Sequence, residues 1–166
     1  MPPVTRIAAG VLTAGLLLTG CATPAQRTAL SPQDTIKAAQ QQLTDRCLRD
    51  QGLTPPRPGA ARKAASSART QQLADALYGT GRAELSLELP SGHVISQHTD
   101  GCLAQAQRKL YGDQPRWFRS STTVGNLKSA APAADRDTYD QLRAHALHRA
   151  RTLLTSAPPA PKGTRP

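Results

Sequence analysis

The residues best suited to chemistry in this chain are three cysteines, Cys21, Cys47 and Cys102, and four histidines, His93, His98, His145 and His148. His145 and His148 stand three apart, so on one helix they share a face and could share a metal. The chain lacks HExxH, and no carboxylate stands at ligand spacing to them, so a solvated basic helix face is the simpler reading. Asp100-Gly101-Cys102 places a thiol at the start of a helix, where the dipole lowers its pKa, with His98 just upstream as a base. An exported cysteine with one spare partner is more simply bridged. Serine chemistry has no motif, neither GxSxG nor SxxK. Gly79 and Gly81 form a lone GxG after a helix, the wrong context for a nucleotide loop. No catalytic residue, metal or cofactor is therefore assigned. The remaining catalytic reading, an enzyme acting on envelope polymers, would draw on His93, His98 and Asp100.

Cys21 has a different setting. Arg6 precedes an apolar run from Ile7 to Leu18, too short for the roughly 20 residues of a membrane span but suited to the core of a signal peptide. The run ends in Leu18-Thr19-Gly20-Cys21, which resembles the bacterial lipobox. That resemblance implies cleavage after Gly20, a diacylglyceryl thioether on Cys21 and acylation (palmitate or similar) of the new N-terminus. Two acyl chains hold a protein firmly where one holds it marginally, at about 0.8 kcal/mol per buried methylene. The expected product is a lipoprotein tethered at the extracytoplasmic face of the cell membrane, which it does not span. An ordinary secretory signal followed by a chance cysteine is the alternative.

With Cys21 taken by lipid, Cys47 and Cys102 form an even pair in an oxidising compartment and read as one disulfide. Two buried free thiols are the alternative. A metal or redox role would need closer spacing and a neighbouring ligand cluster.

The chain has 166 residues, a formal net charge of +10 and an aromatic content of 3%. Removing residues 1–20 takes away only Arg6, leaving 20 basic against 11 acidic side chains. Such a balance favours anionic surfaces. For an exported lipoprotein these are lipid headgroups and wall polymers. Aromatic residues interleaved for stacking on bases are missing, so nucleic acid is not an expected partner. The alternative is that arginine serves solubility alone.

These residues need elements to position them. Residues 21–30 read as a flexible tether. Ser31-Pro32-Gln33-Asp34 starts a helix in which Ile36, Ala39, Leu43, Cys47 and Leu48 keep helical spacing. Gly52 stops it, with Leu53 folding back as the apolar partner of a Schellman cap. A proline-rich loop follows over 54–59, and a second helix is expected from Thr70, with Leu73, Ala76 and Leu77 inward. Leu85, Leu87 and Leu89 alternate with polar residues as a strand; Pro90-Ser91-Gly92 turns the chain, and His93–Gln97 pairs back. Asp100 is the expected N-cap of a helix carrying Cys102, Leu103, Ala106 and Leu110, stopped by Gly112. Asp113-Gln114-Pro115 starts another, with Trp117, Phe118, Val124 and Leu127 inward. Asp135 is the expected cap of the last, with Tyr139, Leu142, Ala146, Arg149, Ala150 and Leu153 on or near one face. Residues 157–166 read as a disordered tail.

The layout resembles small actinobacterial lipoproteins and secreted proteins. The likeness rests on the lipobox, on Cys47-Leu48-Arg49-Asp50-Gln51-Gly52, and on Gly101-Cys102-Leu103-Ala104-Gln105-Ala106 followed by Leu110-Tyr111-Gly112. It implies a fold pattern and an address and brings no activity with it. The expected fold is α+β and mostly helical, three to five helices around one β-hairpin with one disulfide, in a single domain over residues 31–156. The expected role is a non-catalytic binding or interaction module of the cell envelope. An accessory or sensor subunit of a membrane complex is the alternative.

Overall fold

Local capping chemistry sets the first helix, α1 (Pro32–Asp50). The Ser31 hydroxyl accepts from the Asp34 N–H at 3.1 Å, satisfying one of the donors a helix start leaves open. At the other end Gly52 adopts φ +73°, the left-handed region that favours glycine. This lets the Gly52 N–H reach the Arg49 carbonyl and the Leu53 N–H reach the Leu48 carbonyl, both at 2.9 Å, which is the Schellman pattern. Leu53 is buried against Leu48, as its apolar character leads one to expect.

The computed structural model describes residues 29–56 and 67–156. Cys21, the expected signal segment, most of the expected tether and residues 157–166 lie outside the described residues, as does part of the 54–59 loop. Within the described residues the order continues with α2 (Ser67–Tyr78), β1 (Leu85–Glu88), β2 (Val94–Gln97), α3 (Cys102–Tyr111), α4 (Gln114–Leu127) and α5 (Ala133–Ser156). This is a mostly helical α+β arrangement with one antiparallel hairpin, as expected. The hairpin pairs Leu85 with Gln97 and Glu88 with Val94. Leu89 N–H bonds the His93 carbonyl at 2.9 Å, so His93 belongs to the turn and the second strand starts one residue later.

Two expected caps differ. Asp100 does not cap α3: that position is Gly101, whose helix start has no side-chain cap. The Asp100 carboxylate turns instead toward the Thr80 N–H at the end of α2. Asp135 lies inside the first turn of α5 because the Pro132 carbonyl already accepts from the Asp135 and Arg136 N–H groups at 3.1 Å. Its carboxylate pairs with Arg119 of α4 at 3.3 Å. The second helix starts three residues before Thr70, at Ser67.

The core is built from alanine as much as leucine. Ile36, Ala39 and Leu43 of α1 meet Ala106, Leu110 and Tyr111 of α3 and Leu142, Ala146 and Ala150 of α5. Small residues allow close helix approach, at the cost of the apolar area that larger side chains would bury. A second cluster joins Leu48, Leu53 and Cys102, with Cys47, Leu73, Ala76 and Leu77 packed around it. On α4 the Ser/Thr run, which lowers helix propensity, turns inward: Ser120 and Thr123 are buried. The Ser120 hydroxyl stays satisfied by donating to the Arg116 carbonyl at 2.8 Å. Arg149, placed near the inner face by periodicity, is exposed.

Candidate functional site

The two cysteines are joined. Cys47 of α1 and Cys102 of α3 have Cα atoms 5.6 Å apart, inside the disulfide range, and their sulfurs are bonded. The Gln51 side-chain amide donates toward both sulfurs, at 3.3 Å to Cys102 Sγ and 3.6 Å to Cys47 Sγ. With its sulfur in a bond, Cys102 is not a nucleophile, and the thiol-enzyme reading falls away.

The histidines separate into two groups. His145 and His148 are exposed on α5, and His93 is exposed in the hairpin turn. His98 lies at the open end of the hairpin, where the chain leaves β2. Continuing the ladder one position beyond Leu85–Gln97 places Glu84 opposite His98. Residues directly opposite in an antiparallel pair have Cβ atoms about 4.5–5.5 Å apart. Asp100 follows two residues later, and one ligand-type atom from each of Glu84, His98 and Asp100 lies within 4.8 Å of the others. Sequence spacing missed Glu84, which is 14 residues before His98 and meets it only through hairpin register.

Backbone amides hold the two carboxylates in place. Thr99 N–H donates to Glu84 Oε2 at 2.8 Å, and Thr80 N–H donates to Asp100 Oδ2 at 3.3 Å. Gly79, at φ +96°, leaves the space that Asp100 Oδ1 and His98 Cβ occupy; any side chain there would collide with both.

A second feature gathers three of the five aromatic residues. Tyr111 of α3 stacks on Trp117 of α4 with ring centroids 3.5 Å apart and planes 9° apart. Tyr139 of α5 stacks on the same indole at 5.5 Å and 13°. Two rings this close and this parallel cannot share one indole face, so Trp117 is held between them. The Arg143 guanidinium lies 5.4 Å from the Tyr139 centroid, within cation–π range. Beside the stack Gln33, Lys37, Gln40 and Arg143 rim a cleft of about 130 Å³. That is well below the roughly 300 Å³ of a small-molecule pocket. It suits one small group of a larger ligand.

Burial, then the neighbouring Tyr139, push the Tyr111 phenol up from 10.0 to about 12, with Arg143 opposing. Between pH 10 and 12 the unfolded chain loses this proton while the folded one keeps it, so stability falls as pH rises through that window. The contribution is intact below pH 10. Ultraviolet titration should therefore show one phenol ionising near pH 12 in the folded protein, and Tyr111→Phe should remove that late step. A titration in which Tyr111→Phe leaves the late step in place would contradict the assignment.

Among the described residues no helix is long and apolar enough to cross a membrane. No protein-family model, curated protein or solved structure matches the chain.

Proposed function

We propose that this chain is a lipid-anchored, extracytoplasmic binding module of the cell envelope. The observation that carries the reading is the Cys47–Cys102 bridge. Such bonds persist in oxidising compartments, which agrees with an exported chain. The bridge also accounts for every cysteine but Cys21, the one that directly follows the apolar run and its Leu-Thr-Gly sequence. Residues 22–30 would then space the helical domain from the membrane.

The surface best suited to binding is the cleft beside the Tyr111–Trp117–Tyr139 stack. Lys37 and Arg143 offer two cations on a rigid aromatic wall, and Gln33 and Gln40 offer amide donors. A carboxylate or phosphate of an anionic lipid or wall polymer matches that chemistry and the size of the cleft. Gln33, Lys37 and Gln40 all lie on the first half of α1, the part that directly follows the tether. On this reading the cleft faces material close to the membrane surface.

Anchoring is tested by Cys21→Ala. The wild-type chain is expected in the membrane fraction, with an N-terminal peptide carrying the diacylglyceryl thioether on Cys21 by mass spectrometry. The variant is expected released, or retained as an uncleaved precursor. A variant found in the membrane fraction at mature size would refute the lipid anchor.

A further inference from the structure

We propose that Glu84, His98 and Asp100 form a binding site for a divalent first-row transition ion, with Zn²⁺ as the best-matched metal. The site is independent of the cleft and of the lipid anchor.

Three observations converge on it. First, the donor set is one imidazole and two carboxylates, with one ligand-type atom of each within 4.8 Å of the others. Around a tetrahedral zinc with bonds of about 2.0–2.2 Å, ligand atoms stand roughly 3.3–3.6 Å apart. With all three atoms inside 4.8 Å of one another, at most about an ångström of side-chain adjustment separates them from that polygon.

Second, the carboxylates are positioned but not neutralised. Each has one oxygen on a backbone N–H, Thr99 for Glu84 and Thr80 for Asp100. Carboxylate oxygens keep lone pairs beyond that single bond, and among the described residues neither carboxylate has a Lys or Arg partner. Arg108, which reaches this segment, donates to the Thr99 carbonyl oxygen at 3.4 Å. Hydrogen-bonded ligands with a fixed orientation are the usual support of a metal site.

Third, His98 Nδ1 is enclosed and has no hydrogen-bond partner. A buried imidazole nitrogen without a partner is costly, and such atoms in native proteins ask for a reason. An ion bound at Nδ1 itself supplies one, because either ring nitrogen of a neutral imidazole can ligate a metal.

The choice of metal follows from the ligands. Imidazole nitrogen selects transition ions over Ca²⁺ and Mg²⁺, which take oxygen donors. Among the divalent ions it favours, zinc lies near the top of the affinity order and needs no redox partner. Three protein ligands leave the remaining positions to water, the arrangement of an open site.

The test uses the full chain, tag-free, in mild detergent and stripped with chelator. Calorimetric titration with Zn²⁺ is expected to show one equivalent bound, with Ca²⁺ and Mg²⁺ far weaker. Glu84→Gln keeps an oxygen acceptor for the Thr99 N–H but removes the charge. It and His98→Gln are each expected to weaken zinc at least about tenfold. His145→Ala combined with His148→Ala is expected to leave binding unchanged. Zinc should also raise the thermal midpoint of the wild type and fail to raise that of either site variant. Should Glu84→Gln unfold early in chelator, Asp100→Asn, which keeps the acceptor for Thr80, takes its place. The proposal is overturned if the wild type binds no zinc or if the site variants bind as the wild type does. It is equally overturned if binding disappears with His145 and His148.

Discussion

Cys47→Ser is expected to lower the free energy of unfolding by about 2–5 kcal/mol. The bond closes a loop across a sequence separation of 55 residues, for which chain entropy predicts about 4 kcal/mol. Strain from the serine should be small, because Cys47 is only partly buried and its hydroxyl can reach solvent. The freed Cys102 thiol stays fully buried against Leu48 and Leu53 and packs there as a small hydrophobe. The core has little else to compensate, since alanines are as numerous in it as leucines. Urea unfolding measures the loss, and the variant should also show a steeper dependence on urea because its unfolded chain is less compact. Reducing the wild type should reproduce the same loss. In the Cys21→Ala background no thiol should titrate after denaturation until reductant is added, and two should titrate thereafter. A loss below about 1 kcal/mol, or two thiols without reductant, would defeat the prediction.

Gly101→Ala is expected to destabilise by about 3 kcal/mol, the upper end of what overpacking a core costs. A Cβ at this position would sit 2.5 Å from the Tyr78 carbonyl carbon, 2.6 Å from the Gly79 nitrogen and 2.7 Å from the Leu77 carbonyl oxygen. These are backbone atoms at the end of α2, so no rotamer change relieves the clash. α2 must shift off α3 or α3 must start later. Gly125→Ala provides the contrast. That glycine lies inside α4, exposed, with nothing within 4 Å of an added Cβ. Alanine there should stabilise by about 0.5–1 kcal/mol, since glycine loses more freedom on entering a helix. The two substitutions add the same methyl group, and their opposite signs separate tertiary packing from helix propensity. Unfolding midpoints measured side by side decide it; a Gly101→Ala protein within about 0.5 kcal/mol of wild type would show that the α2–α3 contact yields easily.

What the sequence determined by itself is local. Ser31 followed by Pro32 and Asp34, Gly52 followed by Leu53, and Asp113 before Pro115 specify helix ends. Each relies on partners within a few residues, and at these three ends no distant contact displaces them. The Asp113 carboxylate does accept from the Arg116 N–H at 3.0 Å as that logic requires. The alternating leucines and Pro90-Ser91-Gly92 specified the hairpin in the same way. Pairing of Cys47 with Cys102 followed from counting, on the expectation that Cys21 carries lipid.

Only the tertiary structure decided the rest. Asp100 has the chemistry of an N-cap, but Gly101 presses against the end of α2 and brings the carboxylate within reach of the Thr80 N–H instead. Ser120 and Thr123 look like surface residues of a weak helix, yet α4 packs with that face inward. Tyr111, Trp117 and Tyr139 come from three helices and form one stack only because those helices meet at that end. Glu84, His98 and Asp100 converge through strand register and the α2–α3 contact, which are set by long-range packing. Short-range hydrogen bonds depend on neighbours in sequence, whereas convergence depends on how distant elements pack together. That is why both ends of α1 and the start of α4 were legible residue by residue and the candidate sites were not.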